Sequence, residues 1–549
     1  MSENRGDGGQ FILGATLGDC VHVAGVLSFL RLAESQGYRT HFMGTRTSVE
    51  ELMEAALESD PDIIALSFRL SPEVAGELFA DVAHRLREAG LGDKRLVFGG
   101  TAPVCRVAEE SGIFDATFDG NSTVDEVLSY LGGGGSSRDE VIPPQDLIAR
   151  IEARAPHPII RHHYGRPTMK ETEKGISEIA ESGLLDIISI GPDQNAQASF
   201  FRPEERDPRQ DGAGGVPVRS PDDFRRLWNA AQRGNYPLLR CYSGTRDVEQ
   251  FAEVLLDTID NAWAAIPLYW YNVLDGRGPR EVEVSIRESR ELMRWHAEHQ
   301  VPVEVNEAHH WSLRDAPDVI AVAAAYLAAL NAKDAGVKDY IAQFMFNTPP
   351  GTSFGMDVAK MLAKLDLISE LEDEDFRVWR QVRTGLFSFP ADPDMARGQL
   401  AYSTVAQMTL KPHIVHVVGY TEADHAADAR EVIESVKITR QVIKESLFGL
   451  PDPSRDPAVA NRRQELVREA RLLLDAIRAL DPGKEDALTD PTVLARAVRL
   501  GLMDAPHLAG NPAAAGRVET RMIDGACYAV DPDTGHPVDE KRRLKSLGK

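Results

Sequence analysis

Three short segments near the amino end carry residue types that could grip one large ligand. In Leu17-Gly18-Asp19-Cys20-Val21-His22-Val23-Ala24-Gly25, an imidazole follows a carboxylate by three positions and precedes a glycine by three. An imidazole nitrogen is a metal ligand, and a neighbouring carboxylate can fix which nitrogen it offers. Ser67 lies in Leu66-Ser67-Phe68-Arg69-Leu70-Ser71-Pro72, and Gly99-Gly100-Thr101 follows an apolar stretch. A hydroxyl and a bare Gly-Gly backbone leave room for a slender group to pass close to the main chain. An imidazole, a hydroxyl and glycines gathered on one edge suit a large flat ligand with a tail.

The elements that must position these residues alternate. Apolar stretches at 11–15, 40–43, 62–67, 95–98 and 117–118 predict strands, and periodic segments at 23–36, 48–59, 72–89, 104–111 and 122–131 predict helices. Repeated strand–helix units imply a parallel sheet covered on both faces. Five strands in this length fit the flavodoxin-like doubly wound class, which binds ligands at the carboxyl ends of its strands. All three segments fall on that edge. A linker composition, Gly132-Gly133-Gly134-Gly135-Ser136-Ser137 followed by Pro143-Pro144, closes the first domain. The expected division is 1–131, a linker at 132–150, a large α/β domain at 151–447, and a helical, loop-rich extension at 448–549.

In the large domain, candidate strands lie at 185–190, 237–242, 267–273, 301–306, 340–346, 386–389 and 413–419, with helices between. Seven strands are legible and an eighth is not. Their spacing favours a (β/α)8 TIM-type barrel, whose chemistry sits on the loops after the strands. A large open α/β sheet is the rival.

The first domain resembles the cobalamin-binding domain of B12-dependent mutases and methionine synthase, which carry Asp-x-His-x-x-Gly, then Ser-x-Leu, then Gly-Gly. By this resemblance His22 is the axial ligand of the cobalt of cobalamin, and Asp19 bonds its other ring nitrogen. Gly25 permits close backbone approach, Gly99 and Gly100 leave room for the nucleotide tail, and Ser67 bonds it. Two positions depart from the pattern: Asp19 and His22 are one residue further apart, and Arg69 stands for the leucine.

Most of the remainder resembles the catalytic component of glutamate mutase (methylaspartate mutase), here fused behind its cobalamin domain. The resemblance rests on Tyr236-Pro237-Leu238-Leu239-Arg240-Cys241-Tyr242-Ser243-Gly244-Thr245-Arg246-Asp247 with Trp270-Tyr271-Asn272-Val273. It rests also on Val417-Val418-Gly419-Tyr420-Thr421-Glu422-Ala423-Asp424, and on Gly501-Leu502-Met503-Asp504-Ala505-Pro506 with Asn511, Gly516 and Asp524-Gly525-Ala526-Cys527. It implies an adenosylcobalamin-dependent isomerase that rearranges a carbon skeleton by radical chemistry. Arg240 matches an arginine that grips substrate carboxylate, Tyr271 a tyrosine beside the substrate, and Glu422 a glutamate that bonds the adenosyl ribose. Arg219 stands for a second arginine, and Trp270 adds an aromatic wall. The acid that faces a substrate ammonium falls on Ala264 or Ala265, and a lysine of the family falls on Val418. With one sure arginine and aromatic neighbours, the expected substrate is a small carboxylate or amino acid less charged or more apolar than glutamate. The ordinary alternative for Arg240 is a strand-end ion pair with Asp247 or Asp275. Other readings of a corrinoid domain are a methyltransferase, and a non-catalytic cobalamin sensor or carrier.

Weaker candidates are Glu307-Ala308-His309-His310-Trp311, set after a strand and lacking an identifiable third metal ligand, and His162-His163, expected in a solvated loop. Asn347-Thr348-Pro349-Pro350-Gly351 has the make-up of a shaped loop, and 370–375 that of a solvated acidic face.

Composition narrows the rest. The chain has 549 residues and 61 Lys+Arg against 85 Asp+Glu, a formal charge of −24. That balance argues against nucleic acid and against anionic membrane surfaces, both of which need clustered cations. No apolar run approaches the roughly 18–20 residues of a membrane span, and residues 1–10 are polar and Gly-rich, unlike a signal peptide. Cys20, Cys105, Cys241 and Cys527 form no CxxC pair, which suits a reducing cytoplasmic setting and excludes thiolate zinc motifs. The acidic surface and helical extension are compatible with a homodimer.

Overall fold

A computed structural model describes residues 10–120, 122, 124–132 and 142–548. The chain divides into two compact units, Met1–Val141 and Ile142–Lys549. Most of the glycine–serine linker, 133–141, lies outside the described residues, as do residues 1–9.

The first unit is a five-stranded parallel sheet of β1 (Phe11–Thr16), β2 (Arg39–Phe42), β3 (Ile63–Phe68), β4 (Arg95–Gly100) and β5 (Ala116–Phe118), in the order β2-β1-β3-β4-β5. That is the flavodoxin-like order, with a topological switch beside β1. The helices are α1 (Ala24–Ser35), α2 (Val49–Ser59), α3 (Pro72–Glu88), α4 (Ala102–Ser111) and α5 (Val124–Gly132). Their starts are written locally: Ser48 and Glu51 form a capping box on α2, and Ser71 with Pro72 opens α3. β3 is buried along its whole length, as a central parallel strand must be. One apolar layer joins the sheet to α2, α3 and α4, and the other joins it to α1 and α5.

The second unit is an eight-stranded, all-parallel barrel sheet, nearly closed. Its strands are β6 (Ile159–Tyr164), β7 (Ile187–Ile190), β8 (Leu238–Cys241), β9 (Ala264–Ile266), β10 (Val303–Val305), β11 (Asp339–Phe346), β12 (Arg377–Thr384) and β13 (Ile414–Val417). β13 pairs back onto β6, so the ring runs through every strand and opens only between β8 and β9. That seam is stitched by Ala262 N–H donating to the Leu239 carbonyl at 3.0 Å and Cys241 N–H donating to Asn261 Oδ1 at 2.9 Å.

Three strand expectations are corrected. The eighth strand is β6, whose His162 is buried and His163 half-buried in the barrel wall, not in a solvated loop. The strand expected at 386–389 is a short 3-10 turn, Leu386–Ser388; the strand is β12, Arg-Val-Trp-Arg-Gln-Val-Arg-Thr. Both β6 and β12 turn polar side chains inward, so neither reads as an apolar run. The third expectation, 267–273, is the loop after β9. There Tyr271 is left-handed (φ 66°), and Asp275 accepts from the backbone N–H of Tyr271 and Asn272 at 3.2 and 3.1 Å.

In the carboxy-terminal extension the Gly501–Pro506 segment has a structural role. The Asp504 carboxylate accepts from the backbone N–H groups of Gly516, Arg517 and Val518 at 3.0, 2.8 and 3.1 Å. That holds Asn511 where its side-chain amide donates to the carbonyls of Val273 and Leu274, at 3.2 and 2.9 Å. The extension thereby braces the loop that carries Tyr271.

Candidate functional sites

In the first unit the chain leaves β1 at Thr16 and turns through Gly18, which has φ +54°. The Thr16 hydroxyl donates to the Cys20 carbonyl at 2.7 Å, and Arg46 N–H donates to the same carbonyl at 3.1 Å, pinning the turn to the loop after β2. His22 stands exposed on this pinned turn, at the carboxyl edge. Its Nδ1 lies 3.8 Å from the Cys20 sulfur. The expected Asp19–His22 bond is not made: Asp19 points away and pairs with Arg46 at 2.9 Å, with most of its side chain in solvent. The extra residue between them re-aims the carboxylate, and Cys20 takes the position beside the ring. Val21, Leu70 and Val74 are exposed on the same edge, an apolar surface of the kind a flat macrocycle would cover.

Behind this edge a slot of about 510 Å³ runs into the sheet between α1, β3, β4 and β5. Gly25, Ser67, Gly99 and Gly100 all line it. A Cβ on Gly25 would meet nothing within 4 Å, and one on Gly99 only the Phe118 carbonyl at 3.9 Å, so side chains there would grow into the slot. Gly100 acts differently: a Cβ there would sit 2.8 Å from the Phe68 carbonyl, so its absence lets β3 and β4 close. Ser67 is almost fully buried and lies in register with Gly99. An exposed imidazole above a glycine-walled slot fits a corrinoid with a buried tail. Gly25→Leu is therefore expected to leave the fold and melting temperature intact and to weaken cobalamin binding by at least about tenfold, roughly 1.4 kcal/mol. Calorimetric titration with hydroxocobalamin checks it.

In the barrel, a cavity of about 350 Å³ is lined from strands, or from the residue just past a strand's carboxyl end, by Arg161, His163, Arg240, Tyr242, Glu304, Asn306, Gln343, Met345, Arg383 and His416. Most of these are i, i+2 pairs on one strand, the inward face of the pleat. Tyr271, Arg277 and Glu422 add to the wall from loops, and His309 and His310 from a short helix, Ala308–Ser312.

The electrostatics are lopsided. Arg161 and Glu304 are both buried and approach to 3.4 Å, and Trp263 Nε1–H donates to the same Glu304 oxygen at 2.7 Å. Arg240 has no carboxylate partner among the described residues. Its guanidinium lies 4.9 Å from the Trp263 ring centre, and its Nε and Nη2 find no hydrogen-bond partner among the described residues. Arg383 Nε is likewise buried and unsatisfied. Burial, and Arg240 beside it, pull Arg161 well below its ordinary pKa, and burial lowers Arg383. Burial raises Glu422. The rings of His163, His309, His310 and His416 are all pushed well below their ordinary pKa, first by burial and then by neighbouring arginines or histidines, so each is neutral at pH 7. A cavity with spare buried guanidinium donors is incomplete without an anion.

The other expected residues divide. Tyr271 lines the cavity, its phenol raised to about 12 by burial, under the Arg277 guanidinium at 4.4 Å. Glu422 lines it too. Arg240 makes neither expected ion pair: Asp247 holds Arg202, and Asp275 holds Arg277 and Arg314. Arg219 is a correction, because it is not in the cavity and pairs with Asp193 and Asp211. Trp270 is another: it is fully buried behind the wall, against Trp311 at 4.8 Å and under Arg314 at 3.9 Å. Glu307 is structural, accepting from the backbone of Leu268 and Tyr269 and from Trp311 Nε1. Among the described residues no group of three or more His, Cys, Asp or Glu side chains is placed to hold a metal ion. The expectation of a weakly charged, aromatic pocket is also corrected, since Arg161, Arg277 and Arg383 join Arg240. The strand alternation of polar residues, as in Arg161/His163 and Gln381/Arg383, was the signal that could have found them.

Residues 11–128 match the family model of the B12 binding domain. No curated protein matches the chain. Among solved structures, a cobalamin-binding protein from Desulfitobacterium hafniense DCB-2 is 24% identical, with a TM-score of 0.19, over 20% of this chain and 53% of that one. The chain thus spans about half the length of that relative. Phospho-2-dehydro-3-deoxyheptonate aldolase from Thermotoga maritima is 11% identical, with a TM-score of 0.31, over 53% of this chain and 70% of that one. A GH138 enzyme targeting pectin rhamnogalacturonan II is 8% identical, with a TM-score of 0.31, over 89% of this chain and 56% of that one. The first unit carries a B12-binding domain, and no helix among the described residues is long and apolar enough to cross a membrane.

Proposed function

We propose that this B12-domain protein is an adenosylcobalamin-dependent radical mutase, rearranging the carbon skeleton of a small carboxylate in the manner of glutamate mutase. The observation that carries this reading is the pairing, in one chain, of a glycine-walled slot with a barrel cavity whose buried guanidinium nitrogens lack partners among the described residues. When bound, adenosylcobalamin supplies a carbon radical by homolysis of its cobalt–carbon bond.

The chain's own residues do the rest. His22 would hold the cobalt of the cofactor, Gly25, Ser67, Gly99 and Gly100 would line the slot for its tail, and Glu422 would bond its adenosyl ribose. Arg240 grips a substrate carboxylate through its free Nε and Nη2, a fork suited to two-point recognition of that group. Arg383 meets a second acceptor on the same substrate. Tyr271 closes over it, fixed by its own strained turn and by Asp275. Burial excludes water from reactive species, and the rigid strands hold the substrate in one orientation. The number of arginines favours an acid with two anionic or strongly accepting groups. An open, polar cavity speaks for catalysis over a carrier with a filled barrel.

The test is spectroscopic. Protein loaded with adenosylcobalamin is mixed in the dark with a panel of small mono- and dicarboxylic acids. Acid-dependent bleaching of the cofactor spectrum with a paramagnetic signal is expected, with no turnover on methylcobalamin. Methyl transfer from methylcobalamin would favour the methyltransferase reading instead.

A further inference from the structure

Arg161 is the cavity arginine engaged on both arms, and its bonds run in one direction. Its Nη1–H donates to Gln381 Oε1 at 3.0 Å, Gln381 Nε2–H donates to Gln343 Oε1 at 3.1 Å, and Gln343 Nε2–H reaches the His309 ring, 3.0 Å from Nδ1 against 3.3 Å from Nε2, so that the shorter contact makes Nδ1 the acceptor. Arg161 Nη2–H also donates to His163 Nε2 at 2.9 Å. A guanidinium can only donate, so every later group in each branch is forced to accept on its near side and donate on its far side. Both carboxamides are thereby fixed in orientation. His163 must offer a bare Nε2, so its proton sits on Nδ1; the Tyr242 oxygen lies 3.0 Å from Nε2 and 3.3 Å from Nδ1. Because the Arg161 N–H takes the single Nε2 lone pair, Tyr242 accepts from Nδ1–H and its own hydroxyl proton is turned elsewhere.

We infer that Arg161 is a positioning residue, not a substrate ligand: through Gln381 and Gln343 it locks His309 as the neutral Nε2–H tautomer, and through His163 it polarises Tyr242. Both branches end on residues that line the cavity. Together with Arg240 they present hydrogen-bond donors, so the ligand group seated against them must be an acceptor. The depressed basicity of both rings is consistent with this: burial comes first, and basic groups stand around each, Arg383, Lys364 and Arg314 near His309, and Arg161, Arg240 and Arg383 near His163. The inference deepens the carboxylate reading above and rests on it only for the use made of the donors.

The experiment needs neither cofactor nor substrate, so its failure is distinct from failure of the mutase reading. The full chain is labelled with ¹⁵N-histidine, and long-range proton–nitrogen spectra at pH 7 are assigned by His309→Asn and His163→Asn. His309 is expected protonated only on Nε2, and His163 only on Nδ1. Gln343→Glu keeps the acceptor for Gln381 but, as a carboxylate, cannot donate. It should move a proton onto His309 Nδ1 while leaving His163 unchanged. Arg161→Lys should disturb both rings, and circular dichroism shows whether that variant is folded. A wild-type His309 that is doubly protonated or carries its proton on Nδ1, or a Gln343→Glu spectrum identical to wild type at His309, overturns the proposal.

Discussion

His22→Ala is expected to leave cobalamin bound to this protein without a protein nitrogen below the cobalt. The visible spectrum should shift to the form in which the cofactor's own base is attached, and affinity should fall by about 100-fold, some 2.7 kcal/mol. The magnitude reflects what is lost. A metal–imidazole bond goes, and a tail released from its slot leaves apolar walls such as Phe29 and Val97 exposed to water. Paramagnetic resonance of the reduced protein, prepared with ¹⁵N-histidine, reads the ligand directly: the nitrogen coupling should change with the isotope in wild type and not in the variant. Asp19→Asn is the control. Asp19 is largely exposed and pairs with Arg46, so its neutral isostere should alter neither spectrum nor affinity. Equal effects from both substitutions would mean that the carboxylate swings onto the ring when the corrin binds, and that the Cys20–His22 contact does not persist.

Arg240→Met is expected to make the protein more stable and to abolish ligand binding. Arg240 is 1% exposed and lacks a carboxylate partner among the described residues. Holding such a cation out of water costs several kcal/mol. The Trp263 face 4.9 Å away returns on the order of 2 kcal/mol, and the cost wins. An unbranched apolar side chain of similar length should gain about 1–3 kcal/mol in urea unfolding. Carboxylate binding, measured by calorimetry on the loaded protein, should disappear. Loss of stability in Arg240→Met would show instead that the guanidinium is a structural part of the barrel floor. Arg383→Met should behave the same way with a smaller gain, because Arg383 is only partly buried.

Much of the fold was legible because it is local. In the first unit each strand and helix carries its own period and its own stops, such as the Ser48–Glu51 capping box and Gly112 at the end of α4. The edge residues were legible for the same reason, since a turn between β1 and α1 can only lie at the carboxyl end of the sheet. Arg240, Tyr271 and Glu422 were found by resemblance, and all three line one cavity. The misses share one cause. Arg161, His163, Gln381 and Arg383 sit on strands that break the rule of apolar interiors, so β6 went unseen and β12 was displaced to the turn after it. Arg219 and Trp270 had suitable chemistry at suitable intervals, but a neighbouring Asp193 and a neighbouring Trp311 claimed them.

What the sequence alone determined is the alternation of strand and helix, the division into a cobalamin-type domain and a barrel, and the edge on which His22, Ser67 and Gly99 lie. Local spacing and periodicity encode the alternation, the division and the edge, and the cobalamin character of the first domain is what its motif resemblance implies. What only the tertiary structure decided is which charges meet. Arg161 reaches Gln381 across 220 positions and Glu304 across 143, and Asp19 turns to Arg46 and not to His22. Those outcomes depend on barrel closure and on which way each side chain points from the pleat. A one-residue change of facing reverses them and leaves no mark in composition.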